Sequence, residues 1–581
     1  MLSNSVIASA LSSGYLAILI LQLNPSYPMD PGAVLSLALA LGAAYGANLT
    51  VVFYALIVLR QILAVEMLSP GWLSVRLLSW MSAMAAVGGA LLMWLNVRAF
   101  GVVLDEETTR RMVGGAIVVS GAAALFLLIG VAYIGRRGGR ISAAVLSAGM
   151  VLSIAIPAVL RGPGRPAPLP ARPTLAIPDR EPSPSGARVT MLLFDGASLY
   201  MIAPAVAAGR LPNLGRIFDT GAVLHLATLR PTQAETVWSA VATGRSPMHN
   251  GVRSSASYRV FGRDPAITLL PDYCYAQALV TFGFFSESRH TSADLAARPI
   301  WSILSDLGLT VAVVGWPLTH PAPAVRGVMV SEVLHRLSET ELELEGATAV
   351  SPPQLLPDVR AALSRLVDPD PVRLVSGDSG PPAGDYDVAS DPQPVVADRV
   401  HLQLIGELPS LAEARFVAVR FPGVDAVGHY YLRYADPSSF GDVTDEERRR
   451  FGRVLDRYYG FIDAVVGQTM ALIGPDDLLL VTSAFGMEPL SPAKRVLERV
   501  IGNPDISGTH ERAPDGFMLA FGRSVQPGRP ARSSVMDVTP TILYFLGQPV
   551  ARDMEGFART DLFRPAFTAE RPVIYIPSYG R

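Results

Sequence analysis

The stretch ARFVAVRFPGVDAVGH, residues 414–429, joins a run of apolar and β-branched residues to a segment that carries Asp425 and His429 four positions apart. A short apolar run of this kind reads as a strand buried on both faces, as in a parallel sheet covered by helices. RVTMLLF (188–194), TVAVVGW (310–316) and DLLLVTS (477–483) repeat the pattern, with amphipathic stretches such as EERRRFGRVLDRYYGFIDAVVGQTMALI (446–473) between them. Strands alternating with helices predict an α/β domain with a mainly parallel central sheet from residue 187 to 581. Sites in such sheets form beyond the carboxyl ends of the strands. Asp195 directly follows VTMLLF, Asp425 follows ARFVAVRF within a few residues and Ala484 follows DLLLVTS, so three strand ends are expected to converge.

The first 160 residues differ in kind. Five apolar runs, roughly 4–24, 33–59, 74–96, 112–135 and 141–160, each reach the length of about 20 residues that crosses a bilayer. The first lacks the basic leader of a signal peptide and four more follow, so all five are read as an α-helical transmembrane domain over residues 1–160. Their central parts carry no Asp, Glu, Lys or His, which favours an anchor or lipid-facing platform over a pump. The turn GRRGGR (135–140) concentrates Arg136, Arg137 and Arg140, with Arg60 and Arg76 on the same side. The loop RAFGVVLDEETTRR (98–111) on the other side mixes both signs, so the amino terminus is expected inside and the C-terminal domain extracytoplasmic. Arg161, Arg165 and Arg172 argue mildly the other way.

Residues 161–186, RGPGRPAPLPARPTLAIPDREPSPSG, are a Pro-rich, semi-rigid linker. Residues 340–400, rich in Pro, Asp and Gly, read as a mobile insertion over the site. The net charge of -2 gives no reason to expect nucleic acid as a partner. With one cysteine, Cys274, neither an internal disulfide nor a Cys-rich metal cluster can form, so any metal must be held by His and carboxylates.

An ordered set of motifs then becomes specific. LLFDGAS (192–198), GRLPNLGRIFDTGAVLHLATLRPTQAETVWSAVATGRSPMHNGV (209–252), RPIWSILSDLGLTVAVVGWPLTHPAP (298–323), GVDAVGH (423–429), SGTHERAPDGFMLAFG (507–522) and VMDVTPTILYFLGQPVARDMEG (535–556) follow one another through most of residues 190–560. Together they resemble the alkaline phosphatase superfamily, in its type I phosphodiesterase and nucleotide pyrophosphatase branch. The resemblance implies a hydrolase or transferase acting on a phosphodiester or phosphomonoester, with two zinc-type ions about 4 Å apart. It makes Asp425, His429 and His510 the ligands of one ion and Asp195 a ligand of the second.

Departures from the family pattern fall on that second ion. SAFGM (483–487) puts Ala484 and Phe485 where an Asp-His pair is expected, and Ala234 stands at the position of the Ser or Thr nucleophile. Thr236, with Thr232 behind it, is the nearest hydroxyl and the candidate nucleophile; Glu235 and Glu488 are the carboxylates near enough in sequence to replace lost ligands. Two readings stay open. One is a membrane-anchored enzyme with a divalent cofactor, zinc by resemblance, acting on a lipid-linked or envelope-derived phosphate ester. The other is a catalytically silent relative that binds a phosphate-bearing ligand or a partner protein.

Overall fold

In a computed structural model, residues 1–64, 74–101, 103–132, 140–163, 186–337, 341, 346–365, 393–408, 413–501 and 503–580 are described. Outside them lie positions 135–139 of the Arg-rich turn, most of the Pro-rich linker, and residues 366–392 together with smaller parts of the expected 340–400 insertion. The chain divides into two compact units. The first comprises Met1–Leu169 with Arg253–Arg289, the second Pro170–Val252 with His290–Arg581.

Within the first unit the apolar runs form helices. These are α1 (Leu2–Leu23), α2 (Pro31–Leu41), which passes through a π turn into α3 (Ala47–Ala64), α4 (Val75–Phe100), α5 (Glu106–Ala132) and α6 (Arg140–Arg161). Among the described residues five helices are long and apolar enough to cross a membrane, since α2 and α3 make one continuous apolar helix. Small residues let the helices approach closely: a Cβ on Gly89 of α4 would stand 2.7 Å from the Tyr15 ring of α1, and one on Gly115 of α5 would stand 2.3 Å from the Gln22 amide. A buried 2.8 Å hydrogen bond between the Tyr15 and Ser153 hydroxyls joins α1 to α6.

The segment 253–289 belongs to this unit as well, a placement that its alternation of polar and apolar residues does not signal. It folds into an antiparallel sheet in the order β4 (Arg263–Ile267), β3 (Ala256–Val260), β5 (Phe285–Arg289). Tyr258, Val260, Ile267, Leu269 and Phe285 join the same apolar cluster as the helices. Asn24, just past the end of α1, carries the polar part of the contact. Its amide donates to the Leu269 carbonyl at 2.8 Å, and its carbonyl oxygen accepts from the Thr268 and Leu269 backbone N–H groups, both at 2.9 Å. Asn96 of α4 repeats the arrangement, donating to Asp272 O at 3.1 Å and accepting from Asp272 N at 2.8 Å. Arg161, at the end of α6, donates to the carbonyls of Leu21 and Asn24, both at 2.7 Å, and of Tyr27, filling acceptors that the end of α1 leaves open.

The second unit is built on a nine-stranded sheet. Its order is β14-β2-β13-β10-β1-β9-β6-β7-β8, with β1 Val189–Phe194, β2 Ala222–Ala227, β6 Val311–Val314, β7 Gly327–Val330, β8 Val350–Ser351, β9 Phe416–Phe421, β10 Leu478–Phe485, β13 Asp515–Phe521 and β14 Ser533–Ser534. The central strands β10, β1, β9, β6 and β7 are parallel, and β13 runs antiparallel between β10 and β2. Two apolar clusters cover the faces, one around Trp238, Trp301 and Trp316, the other around Phe421, Tyr431 and Tyr458. This is the architecture the apolar runs predict.

Register brings the strand ends level. Val189 pairs with both Phe416 and Leu478, Phe194 with Phe421, and Leu193 with Thr482. Asp195 and Pro422 therefore leave the sheet side by side, level with Ala484 near the end of β10.

Asn24 generates a prediction. Each of its bonds contributes about 1 kcal/mol net, and its loss strands buried Thr268 and Leu269 groups. Asn24→Ala is expected to destabilise the docking of 253–289 by about 2–4 kcal/mol. Amide exchange at Thr268 and Leu269, followed by mass spectrometry on the full chain in detergent, should accelerate by at least tenfold; unchanged exchange would show that apolar contacts alone hold the segment.

Candidate metal centre

β9 passes through Pro422 straight into the helix Gly423–Ala435. Its start is fixed from beneath: Asp398 accepts from the Gly423 N–H at 3.0 Å and from the Tyr458 hydroxyl at 2.6 Å. A Cβ on Gly423 would lie 1.8 Å from that hydroxyl, so only glycine lets the chain turn here. Asp425 sits in the first turn, where the helix dipole favours a carboxylate, and His429 lies one turn on along the same face.

The third member comes from a loop that closes over this helix. Short strands β11 (Glu488–Pro489) and β12 (Gly508–Thr509) pair, and the Ser507 N–H donates to the His429 carbonyl at 2.6 Å. His510 follows β12, with its ring centroid 5.3 Å from that of His429. The ligand atoms of Asp425, His429 and His510 all lie within 4.8 Å of one another.

Hydrogen bonding settles how the rings face. His429 Nδ1 lies 2.8 Å from the Gly508 carbonyl, and His510 Nδ1 lies 3.2 Å from the Thr232 carbonyl. A carbonyl only accepts, so each Nδ1 carries the proton and each Nε2 is left as a lone-pair donor, the tautomer that metal-ligating histidines adopt. His429 Nε2 is 3.4 Å from Asp425 Oδ2, while Asp425 Oδ1 is buried with no hydrogen-bond partner among the described residues. Burial works against the Asp425 charge, but His429, His510 and Arg420 outweigh it and hold its pKa down at about 2. An anionic carboxylate with an idle oxygen, beside two imidazoles offering Nε2, fits a divalent ion.

Asp195 lies outside this cluster, although its neighbour Gly196 touches Asp425: a Cβ there would stand 2.4 Å from Asp425 Oδ1. The Asp195 carboxylate is already engaged. Trp238 Nε1 donates to Oδ1 at 2.7 Å, and Arg420 donates to Oδ2 through Nε at 2.9 Å and through Nη2 at 2.5 Å. Burial opposes the charge on Arg420, and Asp195, Glu235 and Glu332 more than restore it. Ala484 and Phe485 are wholly buried, with the Phe485 ring 5.0 Å from that of His510. The second set of ligands therefore does not fit a second ion.

The remaining sequence candidates are placed as follows. Ala234 opens the helix Ala234–Thr243, and Glu235 in its first turn lies near enough to Arg420 to support its charge. Thr236 is 1% exposed, and its hydroxyl has no partner among the described residues. Two residues along a helix is about 200°, so Thr236 and Trp238 point to opposite sides, and Trp238 is the one that meets Asp195. Thr232 is equally buried, donating to the Leu229 carbonyl at 2.8 Å. Glu488 lies on β11 and faces Arg512 and Arg230. Sequence reasoning did not single out Arg420; the available signal was a charged residue inside an otherwise apolar strand.

A family model for type I phosphodiesterase / nucleotide pyrophosphatase matches residues 189–525. The chain belongs to this family. Among solved structures, this phosphodiesterase-family chain is similar to murine ectonucleotide pyrophosphatase/phosphodiesterase 5, in an inactive threonine-to-alanine variant in complex with AMP, at 11% identity over 65% of this chain and 100% of that one, with a TM-score of 0.37. It is also similar to a phosphonate monoester hydrolase from Silicibacter pomeroyi (14% identity, 65% and 76% coverage, TM-score 0.35) and to a mutant of the alkaline phosphatase PafA (12%, 65% and 98%, TM-score 0.38). No curated protein matches the chain.

Asp398 makes the support of the helix dependent on pH. Burial pushes its pKa up from the ordinary 3.8 to about 8. Folding therefore takes up a proton between those values, and stability is greatest at the acid end and falls as pH rises toward 8. Asp398→Asn is expected to flatten this slope while keeping the bond from Tyr458. Denaturation midpoints of the full chain across pH 5 to 9 test it, and parallel slopes in both proteins would refute it.

Proposed function

We propose that this chain is a membrane-anchored, divalent-metal-dependent hydrolase or transferase of phosphodiesters or phosphomonoesters, with one ion held by Asp425, His429 and His510. The observation that carries the reading is that one ligand atom from each of Asp425, His429 and His510 lies within 4.8 Å of the other two, beside an Asp425 Oδ1 with no hydrogen-bond partner among the described residues. Zinc suits a ligand set of two imidazoles and one carboxylate. Such an ion supplies Lewis-acid charge for phosphoryl oxygens and acidifies water. The protein's own part is to hold both rings in the donor tautomer through Gly508 and Thr232, and to open the ligand face to solvent; the Asp425 and His429 side chains are 21% and 27% exposed.

The anchor is residues 1–160, five helices in the cell membrane, with the phosphoesterase domain of 187–581 on the extracytoplasmic side of the linker 161–186. Arginine concentrated at 136–140 supports that orientation. A platform in the bilayer makes a lipid-linked or envelope-derived phosphate ester the natural substrate, and nothing in the charge balance calls for nucleic acid.

For the nucleophile, the burial of Thr236 favours water, although its unpartnered hydroxyl keeps it as the alternative. The loss of the Asp-His pair at Ala484 and Phe485 is what supports the rival reading, a silent relative that binds a phosphate-bearing ligand or a partner.

Two measurements test this. His429→Ala is expected to remove bound zinc, read as metal per chain in the purified full-length protein, and to lower hydrolysis of bis-p-nitrophenyl phosphate by at least a hundredfold without loss of helical signal; retained metal and activity refute the site. Thr236→Ala is expected to keep the rate within a fewfold, and a hundredfold loss would return the nucleophilic role to Thr236. A wild-type chain that binds zinc and phosphate but hydrolyses neither diesters nor monoesters establishes the silent reading.

A further inference from the structure

We propose that Arg420 occupies the place of the second cation, so that the phosphate-binding pair of this site is one metal ion and one guanidinium. The inference rests on the metal-dependent reading above and adds a residue that the family pattern does not predict.

Register puts Arg420 there. It pairs with Leu193 in the parallel β1–β9 ladder, so its side chain leaves the sheet on the face shared by Leu193 and, two residues on, Asp195. Nε and Nη2 both reach Asp195 Oδ2, while Trp238 takes Oδ1. Each of these contacts uses an electron pair that a metal ion would need. The neighbouring ligand positions have changed in the same sense: Ala484 and Phe485 offer no donor, and both pack into the apolar cluster on that face. Loss of the Asp-His pair, capture of Asp195 and an arginine on the adjacent strand describe one exchange of a charge, from an ion to a side chain.

What remains free on Arg420 defines its role. The bonds to Asp195 use Nε and Nη2, and the side chain is 16% exposed, whereas that of Asp195 is 3% exposed. The guanidinium thus keeps one edge for an incoming group. Its planar fork, always protonated, matches a phosphoryl group, and a hydrogen bond between two charged partners is about twice as strong as a neutral one. Arg420 also interacts electrostatically with Asp425, which places it close to the ion site. A guanidinium binds oxygen but cannot acidify water, so nucleophile activation falls entirely to the Asp425–His429–His510 side.

The experiment uses full-length protein in detergent, with zinc counted per chain and inorganic phosphate titrated by calorimetry with and without zinc. Wild type is expected to hold one ion at saturation. Arg420→Lys, which keeps the charge but loses the fork, should weaken phosphate binding about tenfold with the ion count unchanged. Removing arginine alone strands the buried Asp195 charge, so the informative variant is Asp195→Asn with Arg420→Met; it should fold, keep its ion and bind phosphate tenfold to a hundredfold more weakly. Two ions per wild-type chain, or unchanged phosphate affinity in the double variant, would overturn the proposal. A chain that binds no ion at all defeats the metal-dependent reading instead, and the zinc-free phosphate titration then still decides for or against Arg420.

Discussion

Burial of the central strands on both faces is the constraint from which the rest follows. β1, β9, β6 and β10 lie between two apolar clusters, so polar side chains along their length would be stranded away from water. Chemistry is pushed to the carboxyl ends, where the level register of Leu193, Arg420 and Thr482 gathers it into one place. Arg420 tests the rule most severely. It sits one residue inside the end of β9 and is tolerated because Asp195 meets it at once. The pair is mutually required: each charge alone would carry a large desolvation penalty.

The two halves of the centre illustrate different ways of supporting a charge. On one side, two rings are oriented by backbone carbonyls, and beside them the Asp425 carboxylate keeps an oxygen without a partner among the described residues. On the other, a carboxylate is saturated by an indole and a guanidinium. Phe485 borders both halves, since it ends β10 and packs its ring against His510.

Much of this was legible in the sequence, and the reasons are physical. Uninterrupted apolar runs identify strands buried on both faces, and spans long enough to cross a bilayer identify themselves by length. Asp425 and His429 could be paired because a helix begins at once after β9, which turns a four-residue spacing into a shared face. His510 could not be found that way, because it arrives from a loop some eighty residues later and only the ordered motifs pointed to it. Arg420 was passed over because an arginine near the end of an apolar run looks like a solvated strand terminus, and its partner is decided by register between strands distant in sequence. Thr236 could be named from its closeness in sequence to Ala234, but its burial at 1% exposure is set by the packing of its helix and is not legible from that spacing.

The docking of β3, β4 and β5 onto the N-terminal apolar helices carries a consequence for anyone who would divide this protein. Tyr258, Val260, Ile267, Leu269 and Phe285 are covered by α-helical neighbours rather than by the α/β sheet. A recombinant fragment beginning after the linker would still contain residues 253–289 but none of the helices that cover them. Its three-stranded sheet would expose both an apolar face and the hydrogen-bonding groups that Asn24 and Asn96 satisfy. Such a fragment should self-associate, so a cut at the linker divides one folded unit rather than separating two.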